Sequence, residues 1–291
     1  MTSPVRRGPP AAGAAMLPTG TFDGDVVLVT GGGTGLGRAI AVEFARLGAA
    51  VVVAGRDAAH RDSGIAAVQA VGGRAIGVAV DVRDPDQVAV CFDEAERRLG
   101  PVTVLVNNAA GNFPVLAENL SLGGWRAVTG IVLDGTFICS TEFARRAIAR
   151  QADGAILNIG ATYAWTGGPG TAHSAAAKAG VTNLTQSLAV EWAPHGIRVN
   201  CLAPGLFPHD DHHAALTAAR PDDRAAQDRS VPAGRVGEVH ELGWAATYLC
   251  SPYASYLSGH TLVLDGANWL RRSLRMPEFV PVADQPGVAP G

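Results

Sequence analysis

Charge is scarce in this chain. Charged residues make up 17% of its 291 positions, against roughly 25% in an ordinary soluble domain. No basic run exceeds Arg6-Arg7 and Arg271-Arg272, and the net charge is −3. Nucleic acid is therefore excluded as the main partner, because binding it calls for clustered cations along a phosphate backbone. Cysteine is scarce as well. Cys91, Cys139, Cys201 and Cys250 lie far apart and form no metal or redox pair; they read as free thiols of a reducing compartment, which points to the cytoplasm. No uninterrupted apolar run reaches the roughly 18–20 residues of a membrane helix, so no membrane partner is expected. Prolines and glycines interrupt the opening segment before any apolar core of a secretory signal.

What the chain does have is material for a core: 47% hydrophobic residues and a mean hydropathy of +0.16. Residues 1–22 read as a flexible N-terminal arm and 271–291 as a C-terminal tail, leaving 23–270 as the body. There, short apolar runs alternate with helical periodicity. The runs are Val26 to Thr30, Ala50 to Ala54, Ala75 to Val80, Val102 to Val106, Ala155 to Ile159, Ile197 to Leu202 and Thr261 to Asp265. Helical stretches fall between them, the long ones near 123–150, 173–193 and 238–250. Unbroken alternation of this kind predicts one α/β domain: a doubly wound, mostly parallel, seven-stranded Rossmann-type sheet with helices on both faces. The longest stretch without periodicity, Pro204 to Pro232, reads as a lid or a decorated surface loop.

The first motif is TGGGTGLG, Thr30 to Gly37, between the first strand and the first helix. Glycines there permit a tight turn and let backbone amides approach a pyrophosphate at the helix N-terminus, where the dipole favours negative charge. The flanking strand and helix raise this motif above a bare glycine cluster. At the end of the second strand an acidic residue would hydrogen-bond the ribose 2′-hydroxyl of NAD, whereas an arginine accommodates a 2′-phosphate. The sequence there is Ala54-Gly55-Arg56, with Arg38 nearby as a second cation and Asp57 as a complication. The expected cofactor is NADP(H).

The spacing of Gly31, Gly35 and Gly37 resembles the short-chain dehydrogenase/reductase family, and the resemblance runs from about Phe22 to Trp269. Asn107 to Gly111 (NNAAG) follows the fourth strand. Asp81-Val82 resembles the family's adenine contact, and Pro204-Gly205 its nicotinamide-side turn. The resemblance implies a cofactor site of Gly31, Thr34, Gly35, Leu36, Gly37, Arg56, Asp81, Val82, Asn108, Ala109, Lys178, Pro204 and Gly205. It also implies a homotetramer built partly through the helices near 123–150 and 173–193.

The catalytic pattern departs from the ordinary member, which carries Tyr-x3-Lys with a serine thirteen residues before the tyrosine. Lys178 is present, but Ser174 replaces the tyrosine and Ala161 replaces the serine. Tyr163, just beyond the fifth strand, offers a displaced phenol where sites of open α/β sheets form. Ser174 and Lys178, four apart, share a helix face. The stretch ILNIGATYAWTGGPGTAHSAAAKAG, with NNAAGNF (Asn107 to Phe113), is similar to the 2,4-dienoyl-CoA reductases, a branch of fatty acid metabolism that uses this displaced tyrosine.

That resemblance implies hydride transfer from NADPH to the distal carbon of a conjugated dienoyl thioester, with charge building on the thioester oxygen. Catalysis then needs donors aimed at that oxygen. Tyr163 would supply one, Ser174 would hydrogen-bond within the set, and Lys178 would position cofactor and bias the field. Mitochondrial-type members carry asparagine where this chain has Asp134; a protonated carboxyl in an apolar pocket could donate a hydrogen bond, or Asp134 could face water and take no part. Pro208-His209-Asp210-Asp211-His212-His213 reads as a solvated loop rather than a metal site, and it replaces the family's threonine-bearing sequence after Pro-Gly. Trp165 reads as an acyl-pocket wall or a packed loop aromatic. The alternatives to a dienoyl-thioester reductase are a reductase of another activated enone or ketone in biosynthesis, and an NADP(H)-binding sensor without turnover.

Overall fold

β-branched runs flanked by glycine and capping residues set the elements of the computed structural model, which describes residues 8–209, 224–270 and 281. The strands are β1 (Val26–Thr30), β2 (Ala50–Gly55), β3 (Arg74–Ala79), β4 (Val104–Asn107), β5 (Gly154–Ile159), β6 (Ile197–Pro204) and β7 (Thr261–Leu264). The helices are α1 (Gly35–Arg46), α2 (Ala58–Ala70), α3 (Pro85–Leu99), α4 (Leu122–Thr129), α5 (Gly135–Arg150), α6 (Tyr163–Thr166), α7 (Ala172–Trp192), α8 (Arg224–Arg229) and α9 (Val239–Cys250). Local chemistry explains several boundaries. Asp84 accepts from the amides of Asp86 and Gln87 at 3.0 and 3.2 Å, Pro85 opens α3, and Gly100 stops it. Glu238 and Glu241 close a capping box on α9.

The seven strands form one sheet in the order β3-β2-β1-β4-β5-β6-β7, every neighbouring pair parallel. The sheet is wholly parallel where the sequence predicted mostly parallel, and β1 and β2 are fully buried apart from Gly55. Two apolar clusters fill its faces. One gathers α3, α5 and α7 (Val88, Phe92, Phe143, Leu188), the other α1, α2 and α9 (Ile40, Phe44, Val68, Leu242). Strand order reverses between β1 and β4, which opens the crevice at their carboxyl ends where ligands of such sheets bind.

Two expectations change. The arm predicted over 1–22 is seated from residue 17 onward: Leu17 and Phe22 are buried, and Phe22 packs edge-on against Phe44 at 4.9 Å. Apolar burial of two large side chains holds this part against the body. The helix predicted near 123–150 carries one wider, π-type turn at Gly130–Asp134, which joins α4 to α5. As one 29-residue helix, Leu122–Arg150 reaches a mean hydropathy of 1.2 over its most apolar window and is long and apolar enough to cross a membrane. Counting only uninterrupted apolar runs misses this because Arg126 and Asp134 break the run. Half of the window is buried inside the fold, as in a core helix. The expected tail 271–291 lies outside the described residues except for 281, and most of the expected lid, 210–223, lies outside them too.

Candidate active site

The glycine turn after β1 is built by close approach. Gly31 sits at φ +64°, and a Cβ there would meet Asn108 Nδ2 at 3.0 Å and Ala109 Cα at 3.2 Å. A Cβ on Gly37 would stand 2.2 Å from the Gly31 carbonyl oxygen, closer than any side chain tolerates. The turn is braced from β4. Asn108 Nδ2 donates to the Thr30 and Gly31 carbonyls at 3.0 and 3.1 Å, and Thr30 Oγ1 accepts from the amides of Asn108 and Ala109, both at 3.0 Å. Thr34 stands at the N-cap of α1 without a side-chain cap bond, and Leu36 packs partly buried behind the turn. The cradle thus has the shape and polarity for a dinucleotide pyrophosphate.

Beyond β2 the turn is rich in arginine. A Cβ on Gly55 would meet nothing within 4 Å, so the position faces open space. Arg61 Nη1 donates to the Gly55 and Arg56 carbonyls at 2.8 and 2.7 Å, and Arg38 Nη1 donates to Ser63 Oγ at 3.0 Å. The Arg56 guanidinium stands 4.0 Å from Asp81. Asp57, the complicating acid in the sequence, caps α2: its carboxylate accepts from the His60 amide at 2.9 Å, and that bond lowers its pKa. It is spent on helix α2. Asp81 is gripped by the Arg83 guanidinium at 2.9 and 3.2 Å from Nε, which holds its carboxyl down at about 2. The Asp81 amide donates to Gln87 at 3.0 Å, and Val82 is buried beside Gly135. Arg61 and Arg83 were not picked out from sequence; their place in the turn follows only from α2 and β3 lying beside β2.

At the carboxyl end of β5 the chain turns through Gly160 into α6, which carries Tyr163. Its hydroxyl and Ser174 Oγ, on α7, are 3.1 Å apart in a hydrogen bond. Burial pushes the phenol pKa up against the opposing Ser174 bond, so Tyr163 is a neutral donor at physiological pH. One turn further on, Lys178 is 6% exposed and donates to the Ile159 carbonyl. Burial pulls its pKa down to about 8, partly offset by the nearby Cys201 thiol, itself pushed up to about 11 by burial. Tyr163 and Ser174 are therefore joined directly, while Lys178 is anchored on the strand end that leads to Tyr163. A buried polar chain ties these elements together: Asn107 Nδ2 donates to Ser140 Oγ and Asn158 Oδ1, and Asn158 Nδ2 donates to Thr185 Oγ1, each at 2.9 Å. It links β4, α5, β5 and α7 beneath the site, although Asn107 Oδ1 is left without a partner.

Asp134 does not join this group. It is exposed at the end of the π-type turn, with Oδ2 4.0 Å from the Cβ position of Gly130, where Arg83 Cδ also approaches at 3.5 Å. Of the two alternatives that the sequence left open, an exposed carboxyl on that outer face fits the one in which Asp134 faces water. Instead α7 contributes His173, fully buried, edge-on to Phe113 at 4.6 Å, with neither ring nitrogen hydrogen-bonded. An alanine-rich helix gave no periodic signal for it. Trp165, 43% exposed, stacks on Trp269 at 5.3 Å. Pro204-Gly205 closes β6, with the Gly205 amide donating to Leu264 at 2.9 Å. Of the charged run after it, Pro208 and His209 are described, while Asp210, Asp211, His212 and His213 lie outside the described residues. No three His, Cys, Asp or Glu side chains come together for a metal among the described residues.

A glycine turn shaped for a dinucleotide at the switch point, with a partly buried phenol, a buried hydroxyl and a buried amine at the carboxyl end of β5, has the parts of a nicotinamide-dependent oxidoreductase. The sequence model of the enoyl-(acyl carrier protein) reductase family matches residues 31–267. A probable 2,4-dienoyl-CoA reductase, (2E)-enoyl-CoA-producing, of Bacillus subtilis is 42% identical over 84% of this chain and 96% of its own length. The peroxisomal 2,4-dienoyl-CoA reductase of Mus musculus, (3E)-enoyl-CoA-producing, is 37% identical over 84% of each. A crystal structure of an Agrobacterium tumefaciens putative 2-deoxy-D-gluconate 3-dehydrogenase with bound NADP superposes with a TM-score of 0.77 and 35% identity, covering 86% of this chain and 98% of that one. The chain belongs to the short-chain dehydrogenase/reductase family, and its curated relatives include 2,4-dienoyl-CoA reductases.

Proposed function

We propose that the protein is an NADPH-dependent reductase of a conjugated 2,4-dienoyl acyl-CoA thioester. The observation that carries this reading is the Tyr163–Ser174 hydrogen bond, 3.1 Å, at the mouth of the dinucleotide crevice. An ordinary carbonyl reductase of the family protonates an alkoxide with a tyrosine on the helix, where this chain has Ser174. Here the phenol comes from α6 and pairs with that serine, so the serine orients a single phenol donor. Such a pair suits an acceptor that develops charge on a thioester oxygen remote from the carbon being reduced.

NADPH would supply the hydride. It would lie with its pyrophosphate on the Thr30–Gly37 turn and its ribose 2′-phosphate in the open space at Gly55, among Arg38, Arg56 and Arg61. Lys178, held by the Ile159 carbonyl, would orient the nicotinamide ribose and lend positive potential to the developing enolate. Neutral Tyr163 would donate to the thioester oxygen, with Ser174 fixing the phenol's hydrogen. Protonation of the dienolate by water then decides whether a 2-enoyl or 3-enoyl thioester leaves; the 3-enoyl product is the one proposed. The half-exposed Phe137 on α5, with Trp125 on α4, gives the long helix an apolar outer face suited to a homotetramer. The free, buried cysteines accord with a cytoplasmic setting.

The test is NADPH oxidation at 340 nm with 2,4-hexadienoyl-CoA. Turnover that depends on Tyr163 supports the proposal. Turnover of an unrelated enone or ketone in place of the dienoyl thioester would reassign the substrate class. Tight NADPH binding without oxidation of any acceptor would make the protein a sensor.

A further inference from the structure

One polar side chain interrupts an apolar stripe beside the site. His173, Ala177 and Val181, spaced four apart, share a face of α7, and Ala177 and Val181 cluster there with Val128, Val132, Phe113 and Leu133. Ser174 and Lys178 occupy the neighbouring face. A leucine would complete such a stripe, yet residue 173 is a histidine with 0% exposure. Neither Nδ1 nor Nε2 is reached by solvent or bonded to any described residue. The Phe113 ring stands edge-on to the imidazole, with 4.6 Å between centroids and 86° between planes. An N–H···π contact of that kind is a weak substitute at one nitrogen and none at the other. The residue before Phe113 repeats the pattern: Asn112 Oδ1 is buried without a partner.

Buried polar groups are nearly always hydrogen-bonded, and a bare one costs more than an apolar group of the same size. Here an imidazole and an amide oxygen are both bare, and Phe113 connects them, next to Asn112 in the chain and in contact with His173 in space. Phe113 is also the member free to move. It is only partly buried, on residues 108–116, which form neither helix nor strand. With its ring swung off α7, the imidazole presents its nitrogens to the crevice from one wall, and Asn112 an acceptor from the other.

We propose that His173 and Asn112 bind the amide in the carrier arm of the thioester substrate once Phe113 moves aside. An amide brings what each wall lacks: its carbonyl accepts from the imidazole N–H, and its N–H donates to Asn112 Oδ1. In a coenzyme A thioester such an amide lies a short ethylene link beyond the sulfur, close to the carbonyl that Tyr163 would hold. That matches a residue adjoining Ser174 on the helix. An acyl tail would leave both groups bare, so the pair reads the carrier side of the substrate and not the chain being reduced. The inference rests on the proposed thioester substrate and adds which part of it is recognised.

The test is equilibrium binding of saturated thioesters to the full chain loaded with NADP+, where no reduction can follow. The probes are S-butanoyl-N-acetylcysteamine, which carries the amide, and S-pentyl butanethioate, which has methylenes in its place. The protein should prefer the first by about tenfold or more. His173→Leu should lose that preference while binding the S-pentyl ester as well as before, and should match or exceed the parent in urea stability, since a bare polar group leaves the core. Asn112→Ala should reduce the preference too, and His173→Gln, with a donor and an acceptor of its own, should keep much of it. A preference that survives in His173→Leu would overturn the proposal. Equal loss for both probes, or a fall in the stability of His173→Leu, would make the imidazole a packing residue and overturn it as well. Binding of both probes without preference in the parent would strike this inference alone, whereas binding of neither would strike the thioester substrate along with it.

Discussion

Lys178 is the only lysine in the chain, and this makes its ionisation measurable without ambiguity. Burial pulls its pKa from 10.5 to about 8, which corresponds to a bias of about 3 kcal/mol against the charged amine in the folded state. The sign follows from proton counts. Between pH 8 and 10.5 the unfolded chain binds a proton at this site and the folded chain does not, so this group makes stability rise with pH through that window. Bulk unfolding will hide the effect. All four cysteines are buried, with thiol pKa values raised by burial, to about 12 for Cys91 and Cys250 and about 11 for Cys201. Above about pH 9 the unfolded thiols ionise first, which lowers stability and outweighs one amine four to one.

The decisive assay is therefore direct. Protein grown with lysine labelled with carbon-13 at Cε gives one side-chain resonance, and its pH titration reports Lys178 alone. A midpoint near pH 8 is expected in the free protein, with the ammonium form about tenfold in excess at pH 7. Adding NADP+ should move the midpoint upward, because the bound phosphates favour the charged amine. A midpoint above pH 10 in the free protein would refute the argument that burial beside the Ile159 carbonyl governs this group. A midpoint unmoved by cofactor would refute its place beside the nicotinamide ribose.

Tyr163→Phe should lower kcat for 2,4-hexadienoyl-CoA by about a hundred- to a thousandfold, the usual cost of one oxyanion donor. Ser174→Ala should cost less, and the double variant little more than Tyr163→Phe alone, since both act through one hydrogen bond; a fully multiplicative loss would contradict the pairing. Arg56→Ala should weaken NADP+ by about tenfold in direct titration and leave NAD+ unchanged, because only the former carries the 2′-phosphate. Arg198 binds the carbonyls of Leu249, Cys250, Ser251 and Leu257 at 2.7–3.2 Å, closing the C-terminal end of α9. Arg198→Met should therefore cost about 3 kcal/mol or more in urea unfolding, by stranding those acceptors.

The strands were readable because parallel strands buried on both faces appear as continuous apolar runs, and their ends were off where pairing decides them. β6 runs on to Pro204, past the predicted Leu202, because Ala203 and Pro204 pair with Val263 and Leu264 of a strand some sixty residues away. Asp57 entered the sequence reading only as a complication for cofactor choice; the structure makes it the N-cap of α2. The π-type turn left no trace, since its five residues read as helix in any window. Asp134 was singled out by resemblance alone, which names a position but not the face it takes; the structure leaves it exposed at the end of that turn.

The candidate catalytic residues show where sequence reasoning reaches its limit. Lys178 was found as a match to a pattern, and Tyr163 and Ser174 as departures from it, which identifies residue types but not their bonds. The structure joins the phenol to the serine and leaves the amine to the backbone of β5. The distinction matters physically. An amine hydrogen-bonded to the phenol would lower the phenol's pKa and make it an acid; an amine held on Ile159 leaves the phenol neutral, with its pKa raised by burial. Reduction of an isolated ketone needs the first arrangement, because the alkoxide must take a proton at once. Reduction of a conjugated thioester needs only the second, because charge is spread to an oxygen that a neutral donor can stabilise until water delivers the proton.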